Sequence, residues 1–330
     1  MSILVTGGAG YIGSHMVWAL IDAGEDVVVV DRLSTGFNWA VAPEAELIIA
    51  DIGDTERLKS IISSHDIETI VHFAGSVVVP DSVSDPLGYY QNNTVNSLGL
   101  IRTAVDCGVQ HMVFSSTAAV YGTPKTDAPV SETADLMPES PYGVSKLMTE
   151  LMLRDTAAAH DLTYAALRYF NVAGADPKGR TGQSTRGATH LIKVATEAAL
   201  GKRSHIDVFG TDYPTRDGTC VRDYIHVTDL VAAHMQALAF LRGGGDSLVA
   251  NCGYGHGYSV HDVLEAVRRA HGADFDIRTA GRRPGDAVSI VADASKAREV
   301  LGWTPEHDNL DEIVASALAW ETQLSRRNQL

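Results

Sequence analysis

Ser2-Ile3-Leu4-Val5-Thr6-Gly7-Gly8-Ala9-Gly10-Tyr11-Ile12-Gly13 decides the fold. Its first residues form the short apolar run that a parallel strand buried on both faces needs. Gly7, Gly10 and Gly13 follow with G-x-x-G-x-x-G spacing. Gly7 lets the chain turn sharply off the strand, Gly10 lets backbone N–H groups approach a pyrophosphate, and Gly13 lets the next helix pack close to the sheet. That helix reads through Ser14 to about Ala23-Gly24, and its N-terminal N–H groups and dipole favour an anion. Tyr11 and Ile12, inside the same loop, count with the glycines as candidate cofactor contacts. Asp26-Val27-Val28-Val29-Val30-Asp31 reads as a second buried strand that ends in an acid. Asp31 stands where a carboxylate accepts from the adenosine ribose hydroxyls, and its charge would repel a 2′-phosphate. NAD is therefore expected rather than NADP, with Arg32 the one feature pulling the other way.

Outward from this unit, strand and helix patterns alternate. Residues 47–50, 69–73, 111–114 and 164–168 read as further strands, with helical stretches at 55–64, 86–107 and 142–160 between them. That alternation predicts an α/β fold, a Rossmann-type doubly wound parallel sheet with right-handed crossovers. After Asn171 the texture changes to long loops rich in Gly, Asp, Thr and Arg, with helices near 189–201, 227–241, 259–271 and from 310. The expected division is 1–171 as the NAD-binding domain and 172–330 as a smaller mixed α/β substrate domain. The segment around 222–245 is the stretch that can pack back on the first domain.

The 330 residues carry a formal net charge of −15, which argues against a nucleic-acid or anionic-membrane surface. A negatively charged substrate must then be held by a few local arginines against the global field. Cys107, Cys220 and Cys252 are scattered, without metal-ligand spacing or a disulfide framework. The thirteen histidines form no ligand-spaced cluster, so no metal is expected. The first residues already read as a strand, and no apolar stretch reaches spanning length. Together these readings predict a cytoplasmic enzyme.

Tyr142-Gly143-Val144-Ser145-Lys146 places a phenol and an ammonium on one helix face. A tyrosine with a pKa near ~10 is a poor base at neutral pH, and lowering it by about three units needs roughly 4 kcal/mol. A nearby cation supplies that kind of stabilisation in a partly dry site. Alone, Tyr-x-x-x-Lys is common on solvated helix faces; the glycine loop and Ser115-Ser116-Thr117 give it weight.

Longer motifs carry a family resemblance. They are Gly7–Gly13, His72-Phe73-Ala74-Gly75, Ser115-Ser116-Thr117-Ala118-Ala119-Val120-Tyr121-Gly122, Ser140–Lys146, Arg168-Tyr169-Phe170-Asn171, and the run Asp212–Val227. With these the chain resembles the extended short-chain dehydrogenase/reductase family, and within it the UDP-glucose 4-epimerases, over essentially its whole length. The resemblance implies a UDP-hexose substrate, with Tyr142 as the base and later the acid at the sugar 4-hydroxyl. It implies that Lys146 lowers the Tyr142 pKa and holds the nicotinamide ribose, and that Thr117 fills the hydroxyl position of the triad. It puts Asp51 and Ile52 at the adenine, and Phe73, Ala74, Gly75, Asn92, Ser115 and Phe170 along the cofactor. It gives the UDP half to Asn171, His190, Leu191, Phe209, Arg222, Tyr224, Arg283 and Asp286. Arg222 and Arg283 would grip the diphosphate, which suits guanidinium geometry, and Phe209 would lie against the uracil. It also implies a homodimer in which the helices of 86–107 and 142–160 pair as a four-helix bundle.

Two positions depart from the family. Val77 stands where many members carry a lysine near the cofactor. Ile290 stands where a bulky tyrosine looks like a barrier to N-acetylated sugars and a small residue admits them, so UDP-glucose and UDP-N-acetylglucosamine both remain open. A 4,6-dehydratase needs an acid and a base just after the triad threonine, and Ala118 and Ala119 cannot transfer protons. A decarboxylase or other nucleotide-sugar enzyme, and a non-catalytic NAD-sensing module, are the remaining alternatives.

Overall fold

Four consecutive valines, 27–30, can be buried on both faces only inside a sheet covered by helices, and the chain places them there. The computed structural model describes residues 1–126, 128–283 and 287–327. Its first six strands are β1 (Ser2–Thr6), β2 (Val27–Asp31), β3 (Glu46–Ile49), β4 (Ile67–His72), β5 (His111–Ser115) and β6 (Thr163–Tyr169). Helices α1 (Tyr11–Asp22), α2 (Thr55–Ser64), α3 (Val79–Ser84), α4 (Pro86–Tyr89), α5 (Asn96–Asp106) and α6 (Pro141–Ala159) lie between them. Four short strands follow, β7 (Asn171–Ala173), β8 (Ile206–Phe209), β9 (Val221–Arg222) and β10 (Tyr224–His226), and then β11 (Leu248–Cys252) returns to the main sheet. The order is β11-β6-β5-β4-β1-β2-β3, with every neighbouring pair parallel. Strand order reverses between β1 and β4, and the carboxyl ends at that switch point are where such sheets bind ligands.

Alternate side chains feed two cores. Ile3, Val5, Val27 and Val29 pack on the face that carries α1 and α8 (Val227–Arg242). Leu4, Val28, Val30 and Ile70 pack on the opposite face with Leu58 of α2 and Leu100 of α5. The rest of the chain adds α7 (Leu191–Ala199), β12 (Tyr258–Ser259), α9 (Val260–His271), β13 (Ile277–Ala280), β14 (Ser289–Ile290), α10 (Ser295–Leu301) and α11 (Leu310–Arg327). The pairings β7·β10, β12·β9·β14 and β8·β13 tie the long loops together. Among the described residues, no helix is long and apolar enough to cross a membrane.

One element differs from its sequence reading. The stretch expected as a single helix over 86–107 is broken by a π-helical turn, Tyr90–Val95, between α4 and α5. Such turns occur where a side chain must be re-aimed. Here the turn points Asn93 at the loop after β4, where its amide donates to the Ser76 carbonyl and to Ser145 Oγ.

Gly7 has φ +72°, and a Cβ there would lie 2.6 Å from the Ala74 nitrogen. A Cβ on Gly13 would collide with the Gly7 carbonyl oxygen. Gly13→Ala should therefore destabilise the protein by about 1–3 kcal/mol, the usual cost of overpacking a rigid contact. Denaturant unfolding of parent and variant checks this; an unchanged midpoint would show that α1 is free to move off β1.

Candidate active site

The glycine loop turns directly from β1 into α1. Gly10 caps the helix in extended conformation, and its N–H donates to the Gly7 carbonyl at 3.1 Å. Tyr11 and Ile12 open the helix, so their N–H groups stand at its positive end. Asp31, at the end of β2, accepts from Ala9 N (3.0 Å) and Leu33 N (2.7 Å), which fixes its carboxylate beside the loop. Arg32 does not face the loop alone: its Nη1 pairs with Asp51 Oδ2 at 3.1 Å. Asp51 also accepts from Gly53 N at 2.8 Å, and Ile52 is buried next to it. A glycine cradle that excludes side chains, a helix N-terminus and two strand-end carboxylates fit a dinucleotide.

At the next carboxyl end, Phe73 and Ala74 both donate their N–H groups to the Thr6 carbonyl. Asn92 donates to Ser76 Oγ at 2.9 Å, and Val77, the family's lysine position, is half-exposed. A Cβ on Gly75 would lie 3.8 Å from Lys146 Nζ, so this turn also borders the ammonium.

Tyr142 is buried in the first turn of α6, which Ser140 caps by accepting from Gly143 N. Thr117 hydrogen-bonds its phenol. Lys146, one turn on, is buried too; its Nζ donates to the Ser115 carbonyl at 2.8 Å and lies 4.9 Å from the centre of the Phe114 ring. Ser115 Oγ shares a 2.5 Å hydrogen bond with Tyr169. Burial pushes the Tyr142 phenol up to about 12, and the Thr117 hydrogen bond only partly offsets it. Burial pulls Lys146 down to about 8, against the pull of the Glu150 carboxylate. The sequence assigned the lowering of Tyr142 to Lys146; in the protein the lowering contact is Thr117, because the ammonium is turned toward Ser115.

Strand pairing collects the remaining candidates. Asn171 and Tyr224 are register partners across β7 and β10, and Arg222 and Ile290 are partners across β9 and β14. The Arg283 guanidinium lies 4.6 Å above the Phe209 ring. Arg222 and Arg283 both act electrostatically on the buried Tyr224 phenol, which places the two cations around one point. Asn171, His190, Leu191 and Tyr224 line a cavity of about 460 Å³ that also reaches Lys193 and Glu321. Phe170 packs in a buried cluster with Ala118, Val120 and Ala292, against which Ile290 also lies. Asp286 falls outside the described residues. Among the described residues no cluster of His, Cys, Asp or Glu has metal-binding geometry.

The sequence reading missed Glu150, whose buried carboxylate accepts from Ser116 Oγ and from Arg168. Its i+4 spacing from Lys146 was the available signal. It also missed Asp223, between the two anchors Arg222 and Tyr224, which accepts from Tyr254 N, Gly255 N and Ala292 N.

Residues 3–253 match the model of the NAD dependent epimerase/dehydratase family. The UDP-glucose 4-epimerase of Azospirillum brasilense is 55% identical over 324 residues, covering 98% of this chain and 93% of the relative. A crystal structure of UDP-glucose-4-epimerase from Stenotrophomonas maltophila with bound NAD and formylated UDP-arabinopyranose superposes with TM-score 0.95 at 39% identity, covering 99% of each chain. The UDP-Glc/GlcNAc 4-epimerase of Campylobacter jejuni is similar at 45% identity and TM-score 0.86, covering 98% of this chain and 99% of its own. The chain belongs to the NAD dependent epimerase/dehydratase family.

The buried lysine makes a pH test. Its amine holds fewer protons folded than unfolded between pH 8 and the usual lysine value, so the folded state gains stability as pH rises through that window. The stability of the parent relative to Lys146→Met should rise by roughly 3 kcal/mol from about pH 8 to 10.5, at ~1.4 kcal/mol per pKa unit. Urea unfolding of both proteins across that range is the measurement, and a flat difference would show that the amine is solvated.

Proposed function

We propose that this member of the NAD dependent epimerase/dehydratase family interconverts UDP-glucose and UDP-galactose, by oxidation and re-reduction at sugar C4 through a 4-keto sugar. The observation that carries the reading is the Tyr142–Thr117 pair at the switch-point edge of the sheet. The glycine cradle lies on one side of it and the Arg222, Tyr224 and Arg283 cluster on the other. Bound NAD takes up the hydride from C4 and returns it.

The chain's own residues do the rest. Tyr142 accepts the 4-hydroxyl proton and gives it back, with Thr117 sharing the proton through their hydrogen bond. Lys146 fixes the end of β5 through the Ser115 carbonyl and brings positive charge toward the cofactor ribose. Asp31, Asp51 and Ile52 hold the adenosine end. Arg32 is engaged with Asp51, which leaves Asp31 to set the preference for NAD. Arg222 and Arg283 hold the diphosphate, Phe209 lies against the uracil, and Asn171, His190, Leu191 and Tyr224 close around the nucleotide; Asp286 is assigned with them. A firm grip on UDP lets the keto-sugar present either face. Ile290, in register with Arg222, sets the room beside the sugar. Its size relative to tyrosine makes N-acetylhexosamine nucleotides the second substrate class. Ala118 and Ala119 leave the dehydratase without its acid and base.

The division of labour falls near residue 171, with 1–171 serving the cofactor and 172–330 the nucleotide sugar. Helix α8 packs back on α1 and β11 returns to the sheet. The three cysteines are free, which suits a reducing compartment such as the cytoplasm.

A homodimer is part of the same proposal. Val95 and Leu98 on one side and Met148 and Leu151 on the other are exposed apolar residues. The two rows are joined through the contact between Thr94 and Met148, and a second copy burying both rows would give a four-helix bundle. Light scattering at micromolar concentration should give twice the chain mass, and Leu98→Asp should return it to the monomer value. A monomeric parent would remove this part of the proposal.

Product analysis after incubation with UDP-galactose and with UDP-N-acetylgalactosamine tests the function. Tyr142→Phe should fold and bind NAD but turn over about 10²–10⁴-fold more slowly, the usual worth of a positioned acid–base group. Near-normal turnover by this variant would overturn the role of Tyr142.

A further inference from the structure

We infer that the carboxyl-terminal helix α11 latches the cofactor cradle, with Trp320 and Arg327 acting as positioning residues that set how long the dinucleotide stays bound. The inference rests on the NAD reading above. It begins from a small cavity of about 180 Å³ with three walls. The glycine loop supplies Ala9, Gly10 and Tyr11 as the first. Thr35 and Phe37, from the loop after β2, form the second, and Gly182 and Ser184, from the loop after β7, form the third. The last two walls belong to segments 145 or more residues apart, and neither is a regular element.

The second wall lies directly on the first. Phe37 N donates to the Ala9 carbonyl at 3.0 Å, and a Cβ on Gly36 would lie 2.7 Å from that carbonyl. The third wall is joined to α1 by a buried 2.7 Å hydrogen bond between Ser14 and Thr181.

Helix α11 holds both outer walls at once. Trp320 is buried, its Nε1 donates to Ser184 Oγ at 3.2 Å, and its ring fills the space a side chain on Gly182 would need. The same ring lies 5.9 Å from Trp39, which stands 5.2 Å from Phe37. Arg327, one face further along the helix, lies 5.4 Å from the centre of the Trp39 ring and 5.2 Å from that of Trp320. Its Nη1 donates to the Arg180 carbonyl at 2.9 Å, at the start of the third wall. One helix face thus closes a loop of the cofactor half against a loop of the substrate half. None of these aromatic groups touches the sugar anchors Arg222, Tyr224 and Arg283 in the contacts described above.

An enzyme that regenerates its cofactor within each turnover loses the cycle whenever the reduced form escapes. Fixing the two outer walls from a distant helix slows that escape without adding a group to the reacting centre.

The test uses the full-length protein loaded with NADH. Release is followed as the decay of cofactor fluorescence after dilution into excess NAD and an NADH-consuming reductase. Trp39→Leu and Arg327→Leu should each release NADH about five- to tenfold faster, the rate equivalent of one aromatic or cation–π contact. UDP affinity by calorimetry should stay within about twofold, which a general loss of folding would not allow. Release from both variants within twofold of a parent that retains NADH would overturn the latch and leave the function untouched. A parent that binds no NADH would overturn the latch and the NAD reading together. Arg327 sits at the end of the described helix, so its variant keeps the test open if Trp39→Leu folds poorly.

Discussion

The arrangement of this protein hangs on one buried carboxylate. Glu150 and Arg168 are both almost wholly inaccessible, and the guanidinium meets the carboxylate through Nε at 3.0 Å and Nη2 at 2.5 Å. The carboxylate also accepts from Ser116, the residue between the Lys146 acceptor and the Tyr142 hydrogen-bond partner. Arg168 continues to Tyr121, and Tyr121 to Asn251. One ion pair therefore ties α6 to the end of β5, to β6 and to β11. Burying two charges costs several kcal/mol each, and removing one partner of such a pair typically costs about 3–5 kcal/mol. So large a commitment beneath the first turn of α6 fixes where that turn can sit, and the phenol and ammonium with it.

Burial also sets the charge state above that pair. It pushes Tyr142 and Lys146 in opposite directions on the pH scale, but each toward its neutral form. His72, hydrogen-bonded on both ring nitrogens to Thr6 and Ser97, is pulled down to about 3 and adds no charge. The reacting edge is dry and nearly uncharged, whereas the anchors around Tyr224 are cationic. In a chain with net charge −15, two guanidiniums close together make an anion site only because they are local, since surface charges beyond about 10 Å are screened at ordinary ionic strength.

The parts legible in the sequence are those whose cause is local. The G-x-x-G-x-x-G spacing, the four-valine strand and the Tyr142-to-Lys146 interval each carry their geometry within a few residues. The family model then supports the long motifs that the sequence already displayed. What was not legible depends on distance along the chain. Nothing near Leu248–Cys252 says that it pairs with β6 rather than with its neighbours, and nothing near Glu150 says that its partner is Arg168. The π-helical turn at Tyr90–Val95 was read as plain helix because its cause, Asn93 reaching Ser76 and Ser145, lies in two other segments. The phenol's pKa was assigned the wrong neighbour because spacing fixes a helix face but not where a flexible ammonium points.

The late return of β11 has a consequence for how the chain is made. Strand β6 pairs with β5 on one side, but its other edge stays open until Leu248–Cys252 arrives opposite Ala165–Tyr169. A nascent chain released only as far as residue 171 thus presents an apolar edge, Ala165-Ala166-Leu167, with unpaired backbone groups. Synthesis at about 5–20 residues per second makes that exposure last several seconds. During that interval the entire substrate half up to Gly253 must clear the ribosome before the cofactor half can close its own sheet. The two halves divide the chemistry between them, but as a unit of cotranslational folding they cannot be separated.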